Sequence, residues 1–343
     1  MDNRFCQVAA PSAIYRLMRR IALGAEGMRT SVLGFGCSAV MGRVGRKDSL
    51  AALGAAYEAG VTFFDTARSY GYGESEVLLG QFLRGRRDSV VISTKFGILP
   101  VGNSGFKRSL KPLARKLLRM VPAARKAMQG RIAAQFSANH FSVAALHESV
   151  ETSLRALRTD YIDLLFMHEA PVSVLQQEDL LAALERLVAQ GKVLRFGVAS
   201  SAPVVEAALA AGVKTIQCPC NLFDFGMAQR FYSPGGGVVA IANHPFGGNR
   251  GIAESKLLLR SIALDQNTAA SLREKLRTVD SALLADVVLN AITHETGIQV
   301  VVPAMMQMEH VRANVRAIQQ SRFSSEEIHW LRHAILRQTD QAL

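Results

Sequence analysis

Four side chains of this sequence could together do acid–base chemistry on a carbonyl group: Asp65, Tyr70, Lys95 and His168. Each closes a predicted strand or sits in the loop just after it, in the segments VTFFDTARSYGYGESE, VVISTK and YIDLLFMH. Strands of a parallel barrel deliver their C-terminal ends to one face, so a carboxylate, a phenol, an ammonium and an imidazole would converge there. A tyrosine is too weak an acid near neutrality unless a cation lowers its pKa. Lys95 can supply that cation and Asp65 can hold it charged and oriented. His168 can hydrogen-bond a carbonyl oxygen and fix its direction. Taken singly, Asp65 and Lys95 read as a structural ion pair and His168 as a satisfied core histidine. Tyr72 is a rival phenol two residues on.

The elements that must hold these residues alternate. Strand signals begin near residues 31, 61, 89, 161, 193, 215, 237 and 298, with helical spacing between them over KDSLAALGAAYEAG, 74–84, 142–158, 178–190, 203–211 and 280–296. Helices around 309–319 and 325–336 close the chain. Eight strands alternating with helices predict a closed α/β barrel of the (β/α)8 type. Residues 100–138 and 245–278 fall outside the repeat, and both follow strands on the active-site side. The first is expected to fold partly as helix near the substrate entrance. The second, with its PFGGNRG run, is expected to be a long loop.

The D-T-A-x-x-Y-G-x-G-x-S-E pattern over 65–76, S-T-K over 93–95 and the strand ending in Met167-His168 resemble the aldo-keto reductases. Further matches extend that resemblance from about Arg20 to the C-terminal helix. It implies a TIM barrel with Asp65, Tyr70, Lys95 and His168 as a catalytic tetrad. Tyr70 is the acid because it stands five residues after the aspartate. RIALGAEGMR becomes a hairpin plugging the barrel bottom, and the 245–278 loop the one that covers the cofactor. The implied activity is hydride transfer between a nicotinamide cofactor, usually NADPH, and a small aldehyde, ketone, sugar or alcohol, with no metal.

The resemblance also implies cofactor contacts. Ser200 would meet the nicotinamide carboxamide, with Ser201 beside it where Asn is common, and Gln217 would be the second contact. Cys220 stands where an aromatic usually stacks on the ring, and Phe223 is a neighbouring substitute. His244, Pro245, Phe246 and Gly247 occupy the pyrophosphate run, where glycine-rich backbone suits phosphate. Pro303 and Asn314 match the segment after the eighth strand, Asn314 toward adenine. Met306 replaces the usual cation for the 2′-phosphate of NADP, which methionine cannot bind as arginine does. NADP(H) remains the first expectation, with Arg312 a compensating cation and NAD(H) or dual use open.

The 343 residues, 49% hydrophobic, suffice for one large core. The division expected is an extension over 1–19 and one barrel over 20–343. Cys6, Cys37, Cys218 and Cys220 show no metal or redox spacing. Cys218 and Cys220 share one strand face and read as buried thiols, in keeping with a reducing compartment. No stretch approaches the ~20 apolar residues of a membrane span, and the N-terminus lacks a signal-peptide pattern, so a cytoplasmic protein is expected. The net charge of +12 favours acidic partners. Residues 107–131 hold nine Lys or Arg and no acid. That run reads equally as a solvated basic helix or a positive entrance rim, and without interleaved aromatics it does not predict nucleic-acid binding. A second functional reading is a nucleotide-binding regulatory or scaffold protein on the same fold. Substrate identity and oligomeric state are not encoded in any motif.

Overall fold

The computed structural model describes residues 18–24, 28–100, 140–224, 237–294 and 296–340. Two strands, β1 (Arg20–Leu23) and β2 (Met28–Ser31), pair antiparallel in the hairpin expected from RIALGAEGMR. Eight more run parallel: β3 (Gly34–Gly36), β4 (Phe63–Asp65), β5 (Val91–Phe96), β6 (Ile162–His168), β7 (Val193–Ala199), β8 (Thr215–Pro219), β9 (Val239–Asn243) and β10 (Ile298–Val302). They neighbour one another in chain order. A parallel bridge from Leu33 to Val301, with Val301 N–H donating to the Val32 carbonyl at 2.9 Å, joins the last strand to the first. The result is the (β/α)8 barrel.

The period of two along each strand decides what faces the barrel axis. Phe63, Val91, Leu164, Phe166, Val239 and Val300 pack together inside the barrel with Leu23 of the hairpin. The alternate residues Phe64, Ile92, Ala240 and Val301 pack outward under the helices. Leu23 is fully buried and stoppers the end where the strands begin. There Ser31 and Thr62 exchange hydrogen bonds, Ser31 N–H to Thr62 Oγ1 at 2.9 Å and Thr62 N–H to Ser31 Oγ at 2.8 Å. The expected single strand over 31–36 is therefore two, because the chain must pass from the plug into the barrel wall.

The helices that return the chain are α1 (Arg46–Glu58), α2 (Ser75–Phe82), α3 (Val143–Leu157), α4 (Glu178–Ala189), α5 (Ala202–Ala210), α6 (Gly248–Leu264), α7 (Ala270–Lys275), α8 (Ser281–Thr293), α9 (Met308–Gln319) and α10 (Ser325–Asp340). Side chains cap some of their starts. Ser142 Oγ accepts from Ala145 N–H at the start of α3, and Asp280 Oδ1 from Leu283 N–H at the start of α8. The expectation of a long loop over 245–278 is corrected by α6 and α7. Gly251, Ser255, Leu259, Ile262 and Ala263 recur at helical spacing and are all buried, so the segment gains an apolar seam against the barrel. Its glycines cluster at the start of α6, Gly247 at the N-cap and Gly248 and Gly251 in the helix. Of the extension expected over 1–19, residues 1–17, and of the insertion over 100–138, residues 101–138, lie outside the described residues. Among the described residues, no helix is long and apolar enough to cross a membrane.

Candidate active site

Residue parity carries Asp65, Lys95 and Gln217 to the inner face of the barrel at the ends of β4, β5 and β8. Lys95 is 2% exposed, and its Nζ donates to both Asp65 oxygens, each at 2.7 Å. A third bond runs to the Thr66 carbonyl at 2.9 Å. Asp65 Oδ1 also accepts from Ser93 Oγ at 2.6 Å and Gln217 Nε2 at 3.0 Å. Burial works against the Lys95 ammonium, but Asp65 and then Tyr70 outweigh it and hold its pKa above the ordinary lysine value.

Tyr70 follows β4 in a short 3₁₀ turn, Tyr70–Gly73. Its ring centroid lies 5.0 Å from Lys95 Nζ and 6.0 Å from the His168 ring, which meets it edge to face at 83°. Burial raises the Tyr70 pKa above that of a free phenol, while the Lys95 charge and hydrogen bond pull it down. The lysine thus offsets a burial cost. Tyr72 is 40% exposed. Gly71 and Tyr72 both adopt left-handed backbone, φ 59°. At Gly71 a Cβ would sit 2.4 Å from the Val40 carbonyl oxygen, so glycine there lets the Tyr70 turn seat on the loop after β3.

His168 ends β6. Burial, and then the nearby Lys95 charge, push its pKa down to about 3, so it is a neutral imidazole at physiological pH. Behind the site, Glu76 of α2 is 1% exposed and accepts from Thr94 Oγ1 at 2.7 Å. It is the last residue of the D-T-A…S-E pattern and ties that turn to the strand carrying Lys95.

A cavity of about 350 Å³ opens beside Asp65 and Tyr70. One wall is the turn from β9 into α6, His244 to Asn249, and another the start of α9, with Glu309, His310, Ala313 and Asn314. Gly36 at the end of β3 and Ser38 and Arg43 after it also line the cavity, as do Ser281, Ala282, Leu284 and Ala285 of α8.

A model described as the aldo/keto reductase family matches residues 32–335. This chain belongs to the aldo/keto reductase family. The aldo-keto reductase YhdN of Bacillus subtilis is 29% identical over 220 residues, 62% of this chain and 56% of that protein. The putative aryl-alcohol dehydrogenase AAD14 of Saccharomyces cerevisiae is 33% identical over 210 residues, 58% of this chain and 48% of the relative. The chain spans about half the length of the curated relatives it matches. The solved aldo-keto reductase AKR11C1 from Bacillus halodurans, in its holo form, is alike in fold, with a TM-score of 0.65 at 22% identity covering 93% of this chain and 96% of that one.

Within this aldo/keto reductase the residues expected to touch a cofactor divide into two sets. His244, Pro245, Phe246, Gly247 and Asn314 line the cavity. His244 takes a left-handed backbone, φ 50°, and burial lowers its pKa. Asn314 is buried and its amide lies 3.6 Å from the Met305 sulfur. Gln217 does not line the cavity but donates to Asp65, which does. Ser200 is buried and faces the Ala170 carbonyl at 3.4 Å, while Ser201 is exposed at the start of α5. Pro303 is buried, its carbonyl accepting from Gly36 N–H at 3.0 Å.

Ser200, Ser201 and Pro303 do not line the cavity, and neither do the remaining residues. Cys220 is fully buried in the shell between barrel and helices with Cys218, so it offers no surface to a ring. Met306, 8% exposed, is buried in the same shell, and Arg312 is exposed on α9. Phe223 is 42% exposed after β8. Arg43, Ser38, Asn249, Glu309 and His310 were not flagged by any motif. Only the folded chain brings these residues to one cavity.

Proposed function

We propose that this aldo/keto reductase interconverts a carbonyl compound and an alcohol, with Tyr70 giving or taking the proton. The observation that carries the reading is the approach of Lys95 to Tyr70, its Nζ 5.0 Å from the ring centroid and clamped by both oxygens of Asp65 beside the cavity. A bound nicotinamide nucleotide, NADP(H) or NAD(H), would supply or accept the hydride.

The residues present fit such a group. Gln217 Oε1 is buried with no hydrogen-bond partner, an unanswered acceptor that a carboxamide N–H satisfies. Asn314 would approach the adenine. At the end of the turn from β9 into α6, Gly247 and Gly248 carry no side chain, and glycine backbone suits a diphosphate.

In reduction, the carbonyl carbon takes hydride as the π pair moves to oxygen, and the oxygen takes the Tyr70 proton. The phenolate left behind is stabilised by Lys95. Neutral His168 can donate an N–H to the same oxygen without competing as an acid, since its conjugate acid loses its proton near pH 3. His168 Nδ1 is itself buried without a partner.

The substrate reading is an apolar, aryl-type carbonyl or alcohol. Tyr72, Leu99, Val172 and Phe223 are 40%, 43%, 42% and 42% exposed, and all four stand in loops after barrel strands, on the face that carries Tyr70. An apolar rim of this kind favours aromatic over sugar substrates. Names of relatives such as the yeast aryl-alcohol dehydrogenase agree with it. The test is turnover of benzaldehydes and aldoses with NADPH and NADH, for the wild type and Tyr70→Phe. Aryl aldehyde reduction that disappears in Tyr70→Phe supports the reading. Absence of turnover on every carbonyl, or full activity of Tyr70→Phe, overturns it.

A further inference from the structure

Building on the reading of the cavity as a nicotinamide nucleotide site, we infer that Glu309 makes this chain prefer NAD(H), whose adenosine ribose is unphosphorylated, over NADP(H). The cavity sets the direction of the nucleotide. Asp65 and Tyr70 lie over the barrel, where the reacting ring must be. The cavity then runs outward to α9, so the adenosine half belongs beside Glu309, His310 and Asn314.

Charge at that outer part decides between a ribose hydroxyl and a phosphate. Met306 is packed in the helix-covered core and Arg312 is off the cavity wall. Glu309 is exposed in the first turn of α9 and lines the cavity. Among the described residues no ion pair or hydrogen bond occupies its side chain. A carboxylate accepts hydrogen bonds from vicinal ribose hydroxyls, and it repels a phosphate dianion in the same place.

The count of cations points the same way. Arg43 is the one Lys or Arg among the described residues lining the cavity. The diphosphate common to both nucleotides already calls on it. A 2′-phosphate adds further negative charge with no second arginine or lysine and with Glu309 facing it. The other acidic or basic residues of the wall are Asp65, neutralised by Lys95, and the histidines His244 and His310.

The test is calorimetric titration of the nucleotide-free full chain with NADH and with NADPH, a binding measurement that needs no turnover. Wild type is expected to bind NADH about tenfold or more tightly than NADPH, the order expected for a carboxylate facing a phosphate dianion across a few ångströms of watery dielectric. Glu309→Gln removes the charge at nearly constant shape and should bring the two affinities together by raising that for NADPH. Glu309→Arg should reverse the preference. Glu309 is solvent-exposed, and an unchanged melting temperature verifies that each variant is folded. Equal or tighter wild-type binding of NADPH overturns the inference and leaves the cavity reading standing, as does a preference that neither substitution moves. Binding of neither nucleotide overturns the cavity reading and the inference with it.

Discussion

Lys95 Nζ stands 2.7 Å from each oxygen of Asp65, on two strands that neighbour each other in the barrel. The bidentate clamp fixes a charge in a place where burial alone would discharge it. It also sets the ammonium beside the Tyr70 phenol, whose own ionisation burial opposes. Charge, position and acidity at this site are thus one coupled arrangement.

Tyr70→Phe keeps the ring against His168 and removes the hydroxyl. Turnover is expected to fall by about 10²-fold or more, the range for loss of a general acid, with nucleotide affinity unchanged. Tyr72→Phe should leave turnover within about twofold, since its side chain is exposed while Lys95 is buried. Steady-state kinetics on both variants check this, and the opposite ranking would move the acid to Tyr72.

Lys95→Met removes the charge that lowers the Tyr70 pKa, so that pKa, already raised by burial, rises further. Alcohol oxidation needs the phenolate, and its pH–rate profile should shift to higher pH. The substitution also strands a buried Asp65 carboxylate, costing about 3–5 kcal/mol of stability. A pH–kcat profile and a denaturant melt measure the two effects separately. An unmoved profile would leave Lys95 a purely structural residue.

His168 has a folded-state pKa near 3 against an ordinary value of 6.5. Between those values the unfolded chain binds a proton there that the native chain does not. Stability therefore rises with pH across that window and is lost progressively as pH falls from 6.5 toward 3. His168→Gln removes this contribution. Thermal melts of the variant from pH 7 to pH 4 should show a shallower loss than wild type, whereas parallel curves would contradict the neutral imidazole.

Gly71→Ala places a methyl 2.4 Å from the Val40 carbonyl oxygen in a backbone of φ 59°. We expect about 1–3 kcal/mol of destabilisation and a fall in kcat as the Tyr70 turn shifts, with nucleotide affinity little altered. Comparison of kcat with a direct binding measurement distinguishes this from a general loss of folded protein. Wild-type kcat in a folded Gly71→Ala would show that the turn tolerates the methyl.

The sequence by itself determined the barrel and the residues at its mouth. Alternating strand and helix periods are local, and Asp65, Lys95 and His168 share inward parity with Phe63, Val91 and Phe166, so strand ends could be read one segment at a time. The same rule was available for Cys220, which shares the face of Cys218 and not that of Gln217, and so belongs to the outer core. Helix α6 was legible too, in the spacing of Gly251, Ser255, Leu259 and Ile262, though glycines at its start suggested a loop. Only the tertiary structure decided which phenol faces Lys95, because Tyr70 and Tyr72 are separated by a left-handed turn whose shape depends on contact with Val40. It alone also brought Arg43, Asn249 and Glu309, from one loop and the first turns of two helices far apart in the chain, to the wall of one cavity. Barrel closure sets these distances, and no local pattern of residues encodes them.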